Sequence, residues 1–104
     1  MERVLIDTFI VPEESKASFM EGVRKVQSFL RTLPGFVEGF LYEKKDGESP
    51  HNFLTTAIWE SEEAFENAKR AIAIEFHKQG FDPREATKRL KVESVRSTYA
   101  RSAY

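Results

Sequence analysis

The sequence predicts an α+β fold of the ferredoxin-like, split βαβ class, in which two helices cover one face of an antiparallel sheet. Three observations lead to this prediction. Segments with strand and helix periodicity follow one another in the order strand, helix, strand, strand, helix, strand. Proline or glycine marks most of the junctions between them. Two of the strands carry apolar residues on both faces, which indicates a sheet that is covered twice.

Length and composition exclude several classes of function. The chain has 104 residues, which predicts a single domain over residues 1–104, and it is 40% hydrophobic and 32% charged with a net charge of −1. This charge gives no basic field for nucleic acid. The absence of cysteine excludes disulfides and thiolate chemistry. No apolar run reaches the roughly 20 residues that span a membrane, so we expect a cytoplasmic protein without a membrane partner.

The first third of the chain predicts a strand followed by a long helix. Val4–Val11 is rich in β-branched and aromatic residues, and Pro12 ends it. A helix of about five turns follows, with Glu13–Glu14 near its positive end. Its apolar positions recur with helical spacing and comprise Phe19, Met20, Val23, Val26, Leu30 and Leu33. Pro34–Gly35 ends the helix.

Two strands are predicted in the middle of the chain. Phe36–Lys44 forms the second strand, and Asp46–Gly47 begins a loop of turn-forming residues. Asn52–Trp59 forms the third strand. His51 and Asn52 follow the loop, so we expect both to face solvent.

The remaining sequence predicts two helices and a last strand. Ser61 is a suitable N-cap, and Glu62–Glu63 follow where the helix dipole favours acids. The buried stripe of this second helix comprises Phe65, Ala68, Ile72 and Phe76. Gly80 ends it, and Asp82–Glu85 has the pattern of a short helix start. Val92–Tyr99 forms the last strand, with Ser94, Arg96 and Thr98 on one face.

The two-faced strands predict a homodimer. In the first strand Leu5 and Phe9 share one face, whereas Ile6 and Ile10 share the other. The third strand likewise sets Phe53, Ala57 and Trp59 against Leu54 and Ile58. The chain has helices for one face only, so a second copy packed sheet against sheet is expected to cover the other.

The motifs around the second and third strands resemble those of a known family. Leu33–Phe36 reads Leu-Pro-Gly-Phe, and Trp59–Phe65 reads Trp-Glu-Ser-Glu-Glu-Ala-Phe. This pattern is similar to the antibiotic biosynthesis monooxygenase family of small dimeric barrels. The resemblance covers nearly the whole chain and implies a homodimeric α+β barrel. It also implies a ligand cleft in each subunit between the sheet and its own two helices.

One branch of that family oxidises aromatic polyketides to quinones, and the resemblance can be followed through its substrate-handling residues. Trp59 matches the tryptophan of that branch, whereas Thr55 stands at its asparagine position and Phe65 at its tyrosine position. Phenylalanine has no hydrogen-bonding group, so a polar group is lost. The resemblance implies a monooxygenase that needs no cofactor and combines dioxygen with a small aromatic or quinol-like molecule.

The haem-degrading branch of the same fold is matched less well. That branch has an asparagine on the first strand, and a tryptophan and an iron-ligating histidine on the second helix. Asp7 and Ala68 stand at the first two positions, and His77 lies about one residue out of register. Because the tryptophan is missing, haem degradation is not expected. No metal-ligand cluster or phosphate-binding loop is present in the sequence.

Asp7 and His77 are the candidate catalytic residues. Asp7 lies mid-strand, where an acid is disfavoured unless it is paired or faces a cavity. Two interpretations remain: an ion pair with Arg96 on a neighbouring strand, or a cleft carboxylate that acts as a general base. His77 either stabilises the C-terminal end of its helix or serves as a base or a metal or haem ligand.

Thr55, Trp59, Phe65 and Tyr42 are the candidate substrate-binding residues. Trp59 either clamps strand to helix or forms a cleft wall, and Thr55 on the same face is a strand former or a cleft residue. The Tyr42 hydroxyl reaches either the cleft or the dimer contact. Two functions follow: a cofactor-independent monooxygenase, or a non-enzymatic dimer that binds a small apolar ligand.

Overall fold

A computed structural model describes residues 1–103, and its elements follow the order that the sequence predicts. The strands are β1 (Arg3–Ile10), β2 (Phe36–Glu38), β3 (Leu41–Glu43), β4 (Phe53–Trp59) and β5 (Glu93–Tyr99). The helices are α1 (Lys16–Leu30), which is preceded by a 3-10 turn (Glu13–Ser15), α2 (Glu62–Gln79) and α3 (Pro83–Arg89). Within residues 1–103, no helix is both long and apolar enough to cross a membrane.

The sheet has five strands in the order β2, β4, β1, β5, and β3 also pairs with β4. All recorded pairings are antiparallel, and β1 is hydrogen-bonded on both sides. In the register, Leu5 of β1 lies between Ala57 of β4 and Thr98 of β5. The connection from β1 to β2 through α1 and the connection from β4 to β5 through α2 and α3 are therefore crossovers, whereas β3 pairs directly with β4. The ferredoxin-like α+β prediction is confirmed.

The expectation of one continuous strand over Phe36–Lys44 is wrong. Two short strands pair with β4, and the register shifts between Phe36 and Glu38. Gly39 lies at the break, where a Cβ atom would come within 2.7 Å of the Thr56 carbonyl oxygen. A side chain cannot fit at this close backbone approach, which accounts for a glycine where the two short strands are separated.

Hydrogen bonds confirm the predicted ends of α2 and the start of α3, whereas α1 ends at Leu30, before Pro34–Gly35. Ser61 caps α2 by accepting a hydrogen bond from the Ala64 N–H at 3.0 Å, and Gly80 ends the helix in the left-handed region at φ 66°. Asp82 caps α3 through its Oδ1, which accepts from the Arg84 N–H at 3.0 Å. These contacts satisfy backbone groups that have no partner inside the helices.

Two smaller expectations are wrong. Met20 is not part of the buried stripe: it is 39% exposed, because α1 turns Phe19 and Val23 inward instead. Asn52 does not simply face solvent. Its Oδ1 accepts from the Val11 N–H at 2.8 Å and its Nδ2 donates to the Val11 carbonyl at 2.9 Å. Asn52 thus holds the end of β1 where Pro12 cannot donate a hydrogen bond.

The core between the sheet and the helices consists of two clusters. The first is formed by Leu30, Ala57, Trp59, Ala64 and Ala68, and the second by Val11, Phe19, Phe53 and Val92. Leu5 packs on the first and Phe9 on the second, so the odd-numbered residues of β1 face the helices. Asp7 lies between them on the same face.

Among the described residues 1–103, no helix lies over the opposite face of the sheet, as the two-faced pattern predicts. Cross-strand pairs in the register assign these side chains to one face: Val4, Ile6, Thr8, Leu54, Thr56, Ile58, Val95, Ser97 and Tyr99. Tyr42 pairs with Leu54 and joins them. We call this surface the open face. It presents a broad apolar surface of the kind that normally marks an interaction site.

Gly35 provides a test of the packing between the helices and β2. It has φ 81°, and a Cβ atom there would overlap the Cβ of Ala64 on α2. Gly35→Ala should therefore lower the free energy of unfolding by roughly 2–4 kcal/mol, from backbone strain and steric overlap together. Urea denaturation followed by circular dichroism measures this change.

Gly22→Ala is the matched control for that substitution. Gly22 lies within α1 and has open space around its Cβ position. Alanine is preferred to glycine inside a helix, so this variant should gain up to about 1 kcal/mol. Equal effects of the two substitutions would contradict the close contact described for Gly35.

Candidate functional site

Asp7, Thr55 and Arg96 form a polar row across three adjacent strands. In the sheet register Asp7 is opposite Thr55 of β4 and also opposite Arg96 of β5. Cross-strand partners project from the same face, so all three lie on the helix-facing side. The row separates the two apolar clusters of the core. We call it the polar row.

Asp7 and Arg96 form a bidentate ion pair. Nε of Arg96 donates to Oδ1 at 2.8 Å, and Nη2 donates to Oδ2 at 3.0 Å. Asp7 is only 9% exposed, whereas the Arg96 side chain is 69% exposed. The hydrogen bond with the Asp7 carboxylate raises the pKa of Arg96 above its ordinary value. The ion-pair interpretation of Asp7 is thus what the geometry shows, and the guanidinium is held in a fixed plane.

Gln27 lies near the polar row and is not among the candidate residues that the sequence predicts. It is a buried residue of α1, and its Nε2 lies 3.5 Å from the carbonyl oxygen of Thr56. A signal for it exists, because Gln27 falls on the same helical stripe as Val23 and Leu30. A polar residue within an apolar stripe indicates a polar environment opposite it.

Trp59 is enclosed by protein. It is 1% exposed, and its ring meets that of Phe36 edge-on at a centroid distance of 5.2 Å. Phe65 of α2 packs against the same cluster and is half-buried, with the Lys69 ammonium 5.1 Å from its ring centroid. Trp59 therefore joins strand, turn and helix, as the packing interpretation states.

His77 and Tyr42 are not part of the polar row. His77 is exposed in the last turn of α2, while its neighbour Phe76 is half-buried. Tyr42 projects from the open face and is 51% exposed, with its ring centroid 6.3 Å from that of Phe40. Tyr42 therefore lies on the face where a second copy is expected, and not in the cleft between the sheet and the helices.

A cavity of about 330 Å³ lies between α2 and the turn that follows α1. Its lining includes Leu33, Pro34, Glu60, Ala64, Ala68 and Ala71. None of the residues that the sequence singled out for catalysis or substrate binding lines it. Among residues 1–103, no group of three or more histidine, aspartate or glutamate side chains is arranged to hold a metal ion.

Comparison with known protein families agrees with the fold described above. Residues 3–79 match the family described as antibiotic biosynthesis monooxygenase. The chain belongs to that family. The match spans β1 to the end of α2, and so includes the Pro-Gly-Phe turn and the Trp59–Phe65 segment. None of the curated proteins matches the chain significantly.

Solved structures share the fold at low identity. SnoaB, a cofactor-independent oxygenase from Streptomyces nogalater, is 20% identical with a TM-score of 0.73, covering 99% of this chain and 95% of that one. The heme-degrading protein Rv3592 from Mycobacterium tuberculosis is 25% identical with a TM-score of 0.59, covering 66% and 78%. A MhuD mutant with two manganese protoporphyrin IX molecules per active site is 20% identical with a TM-score of 0.70, covering 94% and 92%.

The ion pair can be tested by a double-mutant cycle. Arg96→Gln leaves the buried Asp7 carboxylate without its partner, so it should lower the free energy of unfolding by about 1–3 kcal/mol. The loss is not expected to be larger, because the exposed Arg96 is screened by solvent. Adding Asp7→Asn should recover part of that loss, because the uncompensated charge is removed. Urea denaturation of the wild type, both single variants and the double variant gives the coupling energy.

Arg24→Gln is the control for this cycle. Arg24 pairs with Glu21 on the surface of α1, where both side chains are well exposed. Its removal should change stability little. Additive effects of Asp7→Asn and Arg96→Gln would show that the two side chains are not coupled.

Proposed function

We propose that this protein is a cofactor-independent monooxygenase that acts on a small aromatic or quinol-like molecule. The observation that carries the proposal is the buried Asp7 carboxylate, which Arg96 orients on the helix-facing side of the sheet. Membership of the antibiotic biosynthesis monooxygenase family supports it, as does the fold shared with a cofactor-independent oxygenase. A buried carboxylate beside a specific charged partner is a common feature of sites that move protons.

The proposed chemistry requires a proton acceptor and an electron-rich substrate. A phenolic O–H gives its proton to Asp7, and the resulting anion supplies electrons to dioxygen. For a phenol with a para C–H, one oxygen atom becomes the new quinone carbonyl and the other leaves as water. The substrate thus supplies all four electrons. His77, exposed at the end of α2, is the second candidate for the proton acceptor.

The remaining candidate residues have supporting roles in this proposal. Thr55, next to Asp7 in the register, offers a hydroxyl to the substrate. Phe65 is half-buried and offers the apolar surface on which an aromatic ring rests, and the enclosed Trp59 supports that surface from within the core. Tyr42 contributes to the contact between subunits instead, because it projects from the open face.

Haem degradation is not proposed. Ala68 is buried in the first core cluster, so the helix carries no aromatic ring at the position where that branch has its tryptophan. Asp7 stands at the asparagine position of that branch and is engaged by Arg96. These two residues differ in both shape and charge from what that reaction uses.

A non-enzymatic dimer that binds a small apolar ligand is the second candidate function. The specific observation in its favour is the enclosure of Trp59, which leaves its ring no free surface for stacking. Thr55 and Phe65 also provide fewer polar groups than the asparagine and tyrosine of the quinone-forming branch. A binding protein requires neither a base nor access for dioxygen.

A homodimer formed through the open face is part of the proposal. Ile6, Leu54 and Ile58 lie at its centre, with Tyr42, Val95 and Tyr99 around them. Burying such a surface against a second copy removes apolar area from water. A cytoplasmic location completes the proposal, since the lack of cysteine is compatible with a reducing compartment.

Dimerisation is tested by a charge placed in the open face. Sedimentation at micromolar concentration should show a species of twice the chain mass, and Ile6→Glu should convert it to a monomer. The reason is that a buried unpaired carboxylate opposes association. Ile74→Glu is the matched control, because Ile74 is exposed on α2 and away from the sheet. A folded wild-type monomer at that concentration would contradict the proposed dimer.

The activity is tested by dioxygen uptake over a panel of dihydroxy-aromatic compounds, without added flavin, metal or nicotinamide. General-base catalysis contributes about two to four powers of ten in rate, so Asp7→Asn should reduce turnover by that order. Asp46→Asn, in the exposed loop before β4, is the matched control. Uptake at the buffer rate for every compound would favour the binding protein instead.

A further inference from the structure

Arg96 has an unused hydrogen-bonding edge. A guanidinium carries five N–H groups, and Asp7 takes one from Nε and one from Nη2. Within residues 1–103, Asp7 is the only side chain that Arg96 hydrogen-bonds. The remaining N–H groups point away from the Asp7 carboxylate, since the fork that binds Asp7 fixes the plane of the group.

The surroundings of Arg96 leave that edge accessible from the helix-facing side. Ser94 and Thr98 flank Arg96 on the same face of β5, and all three residues are exposed. Beside them on β1 lie the apolar residues Phe9 and Leu5. A strip of hydroxyl and guanidinium donors therefore borders an apolar surface. This combination suits a ligand with an aromatic body and an anionic end.

We propose that Arg96 binds the anionic oxygens of the ligand, so that the substrate class is aromatic acids, with the carboxylate on Arg96 and the ring directed toward the first core cluster. The proposal deepens the proposed function and rests on it for the position of the ligand. Asp7 then has a second effect: it fixes the guanidinium plane in advance of binding, which lowers the cost of orienting that group.

This arrangement also bears on the proton step. When a phenolic proton moves to Asp7, the negative charge moves from the Asp7 carboxylate to the phenolic oxygen. Arg96 contacts the Asp7 carboxylate and lies beside the phenolic oxygen in this proposal. The negative charge therefore stays close to the same cation during the step. No net charge is created in the interior, and no oxidation or reduction occurs in this step.

Binding of two matched probes tests the proposal without turnover. 1-Hydroxy-2-naphthoate and 1-naphthol share a ring and a hydroxyl, and only the first carries a carboxylate. Isothermal titration calorimetry of the intact protein at low salt should give about tenfold or greater preference for the acid, as one charge-assisted hydrogen-bonded contact provides. Added salt should reduce that preference.

Variants of Asp7 and Arg96 should change the preference for the acid in opposite directions, which a purely structural role of the ion pair would not produce. Asp7→Asn removes the charge that balances Arg96 but keeps an oxygen that accepts from Nε, so Arg96 stays oriented and the preference for the acid should increase. The double variant Asp7→Asn with Arg96→Gln should lose the preference while leaving no unpaired charge that endangers folding. Arg24→Gln, on the outer surface of α1, should keep the wild-type preference.

Equal affinity of the wild type for the two probes would overturn the proposal, as would a preference that survives in the double variant. These outcomes are separate from the oxygenase test. If the acid binds preferentially and no compound consumes dioxygen, the anion site stands and the monooxygenase does not. If dioxygen is consumed but the two probes bind equally, the monooxygenase stands and the anion site does not.

Discussion

A carboxylate in the middle of the central strand is the constraint on which this structure depends. Asp7 is buried between two apolar clusters, and a charge there requires a cation and well-directed hydrogen bonds. The fold supplies both from β5, which lies beside β1 although Arg96 is 89 residues away in sequence. β5 therefore completes the sheet and also supplies the cation that compensates the Asp7 charge. Only one register of β5 places Arg96 opposite Asp7.

The polar row gives the two faces of the sheet different properties. On the helix-facing side, polar groups on β1, β4 and β5 interrupt the core, and Gln27 of α1 is buried close to them. The open face has no charged residue beside Ile6, whose cross-strand partners are Thr56 and Ser97, and its apolar residues include Val4, Leu54 and Ile58. One face is thus suited to recognising a ligand with polar groups, and the other to burial against a similar surface.

The sequence predicts the fold well because its signals are local. Caps such as Ser61 and Asp82 and the glycine at position 80 act within a few residues, so the chain itself reveals them. The break at Gly39 is not evident from the sequence, because the close approach of Thr56 to Gly39 involves residues that are distant in sequence. The prediction that Met20 belongs to the buried stripe of α1 is wrong because the helical period defines the boundary of such a stripe only to within about one residue.

The candidate site was predictable only in part. Asp7 stands out because an acid in a strand needs an explanation, and Arg96 was one of two explanations available. What the sequence does not contain is the choice between them, which depends on the register of β1 and β5. The enclosure of Trp59 by Phe36 and the position of Tyr42 on the open face likewise follow from strand pairing and not from residue type.

The central position of β1 also has a consequence for the order in which the protein is assembled. β1 is synthesised before the other elements of this fold, yet both of its neighbours, β4 and β5, come from the second half of the 104 residues. Contacts of such long range form slowly, because a large loop must close before they are made. The nascent chain therefore exposes an unpaired apolar strand until β4 and β5 have been synthesised. A chaperone that shields this segment would protect the chain when it is most prone to aggregate.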